Sequence, residues 1–186
     1  MAEFSTQNDL LLTNLLTFYN NSDNIDKMLS IINGDSRISL RIVDWFATNF
    51  SKKYYTVYSL HNENGEPYRF KVYIDYKLKL KAYSKRRFDP FCRWTRIEIP
   101  YKDGQYIQTT IGQLNFFRWA IENKVIDYIE ENYENIEKDM NSRNSNSRKK
   151  DGPTDKTKTR KKREELSVLA SKSIKKEDVQ IVVKFT

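Results

Sequence analysis

The run from Thr110 to Met140 constrains this chain more than any other stretch. Thr110-Ile111-Gly112-Gln113 has the form of a capping box, in which the threonine hydroxyl and the glutamine side chain satisfy each other's backbone N–H groups. Leu114, Phe117, Ile121, Val125, Tyr128, Ile129, Ile136 and Met140 then recur mostly at three- and four-residue steps, the spacing of one helix face. Glu122, Asp127, Glu130, Glu131, Glu134 and Glu137 fall on the opposite face. Unbroken, such a helix spans about 45 Å, longer than a small sheet is wide. The rest of the chain must cover it or leave it overhanging, unless Asn123-Lys124 breaks it.

Residues 1–50 read as three short helices. Asn8 or Asp9 is placed to cap the first, which carries Leu11, Leu12, Leu15, Leu16 and Phe18. Ser22 or Asp23 is placed to cap the second, which Gly34 stops, and Ser36 starts the third. Three helices with a tight turn invite comparison with a helix-turn-helix. The segment is acidic overall, however, and its third helix offers only Arg37 and Arg41 to a groove. Core packing is the reading adopted.

From Lys52 the period changes. Tyr54–Leu60 and Tyr68–Ile74 are rich in aromatic and β-branched residues and flank Asn64-Gly65, the signature of a β-hairpin. His61 beside this loop reads as an exposed bystander. In residues 76–84, Tyr76, Leu78, Leu80 and Ala82 alternate with Lys77, Lys79 and Lys81, which suits a strand with one ammonium-lined face. Ile74, Leu78 and Ala82 also fit a helical stripe, so both assignments stand. Phe88-Asp89-Pro90-Phe91 reads as a turn, because proline disfavours helical geometry at Asp89. Arg93–Ile99 alternates again, and Asp103-Gly104 turns the chain into Gln105–Thr109. The expected fold is α+β: N-terminal helices, a central antiparallel sheet of about four or five strands, and the long amphipathic helix.

That globular part is expected over residues 1–142. Residues 143–163 are dominated by Asn, Ser, Lys and Arg and contain no large apolar side chain. Such a segment is expected to be a flexible basic linker, because it buries too little to offset its ordering entropy. Residues 164–186 follow as a short helix and a strand, Val179–Phe185, whose apolar character requires it to join the chain's own sheet edge or a partner's.

Charge is distributed in blocks. Lys plus Arg minus Asp plus Glu gives −3 over residues 1–50, +7 over 51–110, −4 over 111–142 and +8 over 143–186. Clustered cations attract polyanions by releasing condensed counterions. The candidate nucleic-acid-binding residues are Lys77, Lys79, Lys81, Lys85, Arg86, Arg87, Arg93, Trp94 and Arg96 in the middle block. The tail adds Lys149, Lys150, Arg160, Lys161, Lys162 and Arg163, dense enough for a nuclear-import signal or a phosphate contact. Trp94, Tyr83 and Phe88 amid these cations are open to stacking on unpaired bases or to packing in the core; Phe88 and Phe91 read as core, and Trp94 stays open to either role.

Chemistry of other kinds is sparse. Glycines are scattered singly, so no phosphate-cradling loop is present, and one His with one Cys builds no ordinary zinc site. No catalytic residue, metal ligand or cofactor is assigned. Asp75, Asp89 and Glu98 with Lys77 or Lys102 are the set available to a metal-dependent nuclease, a minor alternative without diagnostic spacing. Cys92 reads as a structural thiol despite its cationic neighbours. No apolar run approaches the roughly 18–20 residues of a membrane span, and the N-terminus lacks signal-peptide order. A soluble, intracellular setting without membrane contact is expected.

Two segments carry a resemblance. Leu80-Lys81-Ala82-Tyr83-Ser84-Lys85-Arg86-Arg87-Phe88-Asp89-Pro90-Phe91-Cys92-Arg93 is followed by Thr109-Thr110-Ile111-Gly112-Gln113-Leu114-Asn115-Phe116-Phe117-Arg118-Trp119-Ala120. Together with the strand Val179–Phe185 after a basic linker, they resemble an uncharacterised group of small basic proteins of large nucleocytoplasmic DNA viruses. The bias toward Asn, Lys, Ile and Tyr suits an AT-rich genome of that kind. The resemblance covers most of residues 36–186, carries over no catalytic motif, and implies a virion or cytoplasmic virus-factory setting. A nuclear location is also open from the basic tail.

The expected function is therefore non-enzymatic: a viral protein that contacts nucleic acid or an acidic protein surface through its basic face and tail. The alternative is a minor structural, capsid- or core-associated virion protein. Its C-terminal strand and long helix would hold it in a protein lattice, paired with other virion proteins or with itself.

Overall fold

The computed structural model describes residues 6–20, 22–149 and 176–177. Helix α1 (Gln7–Tyr19) is capped by Thr6 rather than by Asn8 or Asp9. Asp9 closes a capping box instead, its Oδ2 accepting from Thr6 N at 2.8 Å. Helix α2 (Ser22–Asn33) ends at Gly34, whose φ of 84° lets the amides of Asp35 and Ser36 both turn back onto Ser30 O. Helix α3 (Leu40–Trp45) is capped three residues later than Ser36, by Ser39, whose Oγ accepts from Ile42 N. It runs on through a π-helical stretch, Phe46–Phe50, into the short helix α4 (Ser51–Lys53). As the sequence implied, these N-terminal helices and the loop before α3 supply core: Leu15, Met28, Ile38, Val43 and Phe46 are almost wholly buried.

The expected hairpin forms from β1 (Val57–His61) and β2 (Pro67–Lys71), antiparallel with Val57 opposite Lys71 and His61 opposite Pro67. Gly65 takes φ 78° at the turn, and Asn62 Oδ1 accepts from the amides of Asn64 and Glu66. The chain then departs from the strand reading. Residues 72–88 form helix α5 (Val72–Phe88), with Val72, Tyr76 and Phe88 buried. Lysine and leucine are good helix formers, and burial of these few residues decides the state over the Lys/Leu alternation.

Consequently the strands among the described residues form two small sheets rather than a single sheet of four or five strands. The hairpin stands alone, and a second sheet holds β3 (Arg96–Pro100), β4 (Tyr106–Thr110) and β5 (Lys176–Glu177) in the order β3-β4-β5. In this antiparallel sheet Ile99 pairs with Ile107, both buried, and Lys176 lies opposite Ile107. The chain's C-terminal part thus meets the free edge of β4 at two residues, while Val179–Phe185 lies outside the described residues.

The amphipathic run is three helices, α6 (Ile111–Glu122), α7 (Val125–Glu131) and α8 (Tyr133–Lys149). Two asparagines mark the breaks. Asn123 Nδ2 donates to Trp119 O at 2.8 Å and Asn132 Nδ2 to Tyr128 O at 3.0 Å, each binding the carbonyl four residues back. A side chain that satisfies the preceding turn in this way competes with helix continuation, and Lys124 between them is left-handed at φ 52°. Helix α8 continues to Lys149, past residue 143 where the linker was expected to begin. Of that linker, residues 150–163 lie outside the described part. Among the described residues no helix is long and apolar enough to cross a membrane.

Candidate nucleic-acid interface

Helix α6 is the platform on which α5 is positioned. Gly112 sits so close beneath the end of α5 that a Cβ there would lie 2.9 Å from Asp89 O and 3.0 Å from Arg86 O. Asn115 Nδ2 donates to Arg87 O at 2.9 Å, and Trp119 Nε1 donates to Asp75 Oδ1 at 2.7 Å. Between these polar ties Phe88 packs against Tyr76, Phe116 and Trp119, with ring centroids 5.8–5.9 Å apart. The two segments Leu80–Arg93 and Thr109–Ala120 are therefore halves of one packing unit.

The predicted cations do not share one face. On a strand Lys77, Lys79 and Lys81 would point the same way; on a helix, residues two apart lie roughly 200° apart and residues four apart nearly align. Lys77 and Lys81 accordingly stand exposed on one flank beside Leu78, while Lys79 is half-buried on another. Lys85 and Arg86 follow a kink at Ser84, and Arg86 lies 4.1 Å over the Trp94 ring. Trp94 is 37% exposed, so it is a surface residue paired with a cation rather than core. Arg87 is spent internally: its Nε donates to Asn8 Oδ1 at 2.8 Å and its Nη1 to Gln7 Oε1, tying α5 to the start of α1. Arg96 Nη1 donates across the strand pair to Gln108 Oε1. Arg93 is exposed in the connection to β3. Of the tail cations only Lys149 falls within a described element, at the end of α8; Lys150, Arg160, Lys161, Lys162 and Arg163 lie outside the described residues.

The α5 cations are gathered on one segment without counter-ions. Among the described residues Lys77, Lys79, Lys81, Lys85, Arg86 and Arg93 form no ion pair, whereas Lys53, Lys102 and Arg118 pair with Asp139, Asp26 and Glu122. Along the same helix, Ile74 and Leu78 are 53% and 59% exposed. The outer surface of α5 therefore offers uncompensated charge and bare apolar area together.

Two of the three carboxylates of the nuclease alternative have structural partners. Asp75 accepts from Trp119, Asp89 Oδ1 accepts from Phe91 N at 2.9 Å in the turn after α5, and Glu98 is exposed on β3. Among the described residues no three His, Cys, Asp or Glu side chains gather as a metal site. Two features escaped the sequence reading. Asp44, half-buried in α3, is pushed up to about 7, first by burial and then by the negative charge of Asp89. Nothing in the local sequence marks it, since the burial comes from tertiary packing. The second is a cleft of about 570 Å3 between α1, α5 and α6, with Phe88 and Trp119 beneath it and Phe18, Tyr83, Lys79 and Arg118 around it. Of these, Lys79 was singled out from sequence as a binding residue and Tyr83 as a ring able to stack on an unpaired base.

A model of DUF7197, a family of unknown function, matches residues 2–185. Uncharacterized protein L507 of Acanthamoeba polyphaga mimivirus is 48% identical over 118 residues, 61% of this chain and 45% of that protein. The matched stretch thus takes up less than half the length of that relative. The resemblance to uncharacterised giant-virus proteins holds in this form, although neither match specifies a basic character. No solved structure matches the chain.

Proposed function

We propose, for a chain that belongs to the DUF7197 family of unknown function, a non-enzymatic viral role in which α5 and the connection to β3 bind nucleic acid. The carrying observation is the set of cations without counter-ions, Lys77, Lys79, Lys81, Lys85, Arg86 and Arg93, on one helix and its exit. A helix that leaves this much charge unpaired in a chain of net charge +8 gains most from a polyanion, whose condensed counterions are released on contact. The Arg86–Trp94 pair adds an exposed ring beside the charge, a combination that suits unpaired bases. The setting under this reading is the virion or the virus factory.

Retention of the full-length chain on immobilised DNA and RNA, measured against salt, tests it. Affinity should fall by at least tenfold between about 50 and 200 mM salt. Binding that is flat with salt, or none at the lower concentration, sinks the proposal.

One observation favours a second reading, a minor structural protein of the virus particle. Ile74 and Leu78 are exposed between lysines, a surface suited to an acidic protein neighbour, and β4 accepts a strand from the chain's own C-terminal part. Deleting residues 143–186 should then abolish incorporation into particles while the remaining domain keeps a cooperative melt. Unchanged incorporation argues against it.

A further inference from the structure

The cleft between α1, α5 and α6 adds something the exposed cations do not. Its volume of about 570 Å3 is that of a ligand site rather than a packing defect. Its chemistry is divided in a particular way. Lys79 reaches it half-buried and without an anionic partner among the described residues, which leaves its charge available to an incoming anion. Arg118 stands at the same cleft, held to Glu122 at 2.7 Å and lying 5.5 Å over the Phe18 ring. Beside these cations are two half-buried rings, Phe18 from α1 and Tyr83 from α5, with Tyr83 stacked 6.0 Å from the buried Phe88. Asn14 brings an amide with no side-chain partner among the described residues. Cation, aromatic face and amide are the three groups that recognise phosphate, base plane and base edge respectively.

We infer that this cleft takes one unstacked nucleotide of a single-stranded nucleic acid, its base against Phe18 and Tyr83 and its phosphate beside Lys79. The inference rests on the polyanion reading and narrows it: α5 holds the strand by charge, and the cleft selects strands whose bases are free to leave the stack. A duplex, with its bases paired inside, reaches the outer lysines but not the cleft. The preference therefore lies for single strands over duplex, with little dependence on sequence, since every base presents a π-face.

The test uses the full-length chain and fluorescently labelled oligo(dT), oligo(U) and a duplex of equal length, at low salt. Single strands should bind at least about tenfold more tightly than duplex, the size of effect that one stacked base supplies. The dT and U arms distinguish DNA from RNA as the source of the strand. Tyr83→Leu should remove most of this preference while leaving duplex affinity unchanged, Tyr83→Trp should retain it, and Lys79→Met should weaken single-strand binding several-fold more than duplex binding. Lys77→Met, on the other flank of α5, should weaken single strand and duplex alike. Matching thermal melts for the Lys79 variant keep the test independent of Tyr83's packing. Equal affinity for single strand and duplex, or equal loss for both in the cleft variants, overturns the inference while the polyanion reading survives. Binding of neither form overturns both.

Discussion

Between Ile111 and Glu122, nine of twelve residues are buried; along Val72–Phe88, only Val72, Tyr76 and Phe88 are. These two helices pack on each other, yet α6 is enclosed on nearly all sides and α5 is held by a narrow seam. The enclosed helix meets its neighbour through small and amide residues, with Gly112 under the carbonyls of Arg86 and Asp89 and Asn115 bonded to Arg87 O. The helix on the outside is consequently free to carry lysines wherever the seam is absent. A division of labour follows, in which stability resides in α6 and its seam and surface chemistry in the remainder of α5.

That contrast is best attacked first at the seam. Phe88→Ala removes a fully buried ring from the Tyr76–Phe116–Trp119 cluster and should cost about 3–5 kcal/mol, read as a fall in the denaturation midpoint. Gly112→Ala places a methyl against two backbone oxygens that cannot turn away; a loss of about 1–3 kcal/mol is expected, and an unchanged midpoint would dissolve the claim of close approach.

A smaller effect is expected at Asp44. Its folded pKa of about 7 lies above the ordinary carboxylate value, so the folded state binds a proton that the unfolded state has already released. Stability therefore falls as pH rises from about 4 to 7, and the full penalty is felt above 7. Asp44→Asn should raise Tm by several degrees at pH 8, where roughly 2–4 °C corresponds to each kcal/mol. Little change is expected below pH 4. A gain that is the same at both pH values rules out titration as its cause.

The least disturbance belongs to the outer flank. Lys77→Ala with Lys81→Ala should leave stability within about 0.5 kcal/mol. The slope of log affinity against log salt should nevertheless become shallower by about 0.7–0.9 for each phosphate that the variant no longer neutralises. A marked destabilisation instead would assign these lysines to the fold and erase the distinction between the two helices.

The parts of the fold governed by local chemistry were legible in the residues. Asn64-Gly65 announced the hairpin, Gly34 the end of α2, and Thr110 the start of α6, whose hydroxyl accepts from Gln113 N at 3.2 Å. Asn123-Lys124 was visible as a place for a break, whereas the break at Asn132 was not anticipated. The secondary structure of residues 76–84 was not legible, because the Lys/Leu alternation fits period two and the Ile74, Leu78, Ala82 stripe fits period 3.6. The stripe that argues for a helix faces solvent at Ile74 and Leu78, while Val72 and Tyr76 turn inward. The candidate site suffered from the same ambiguity. The lysines stand out in the sequence as a block, but their division between an outer flank and a cleft depends on helical phase. Phe18 at the cleft lies 61 residues from Lys79 and Arg118 lies 35 residues from Tyr83, so no local pattern joins them.

Ser84 has φ 65° and ψ 166°, a conformation essentially reserved for glycine and costing a side-chain-bearing residue about 1–3 kcal/mol. Phe88, seated in the aromatic cluster, and Arg87, bonded through its carbonyl to Asn115, hold the chain past that point. The last turn of the helix is thus a latch closed against a spring. The two backbone torsions of Ser84 set the bearing of Lys85 and Arg86 relative to the turns before them. Release of the aromatic anchor would let those torsions relax and swing both cations away, without a single charge being altered.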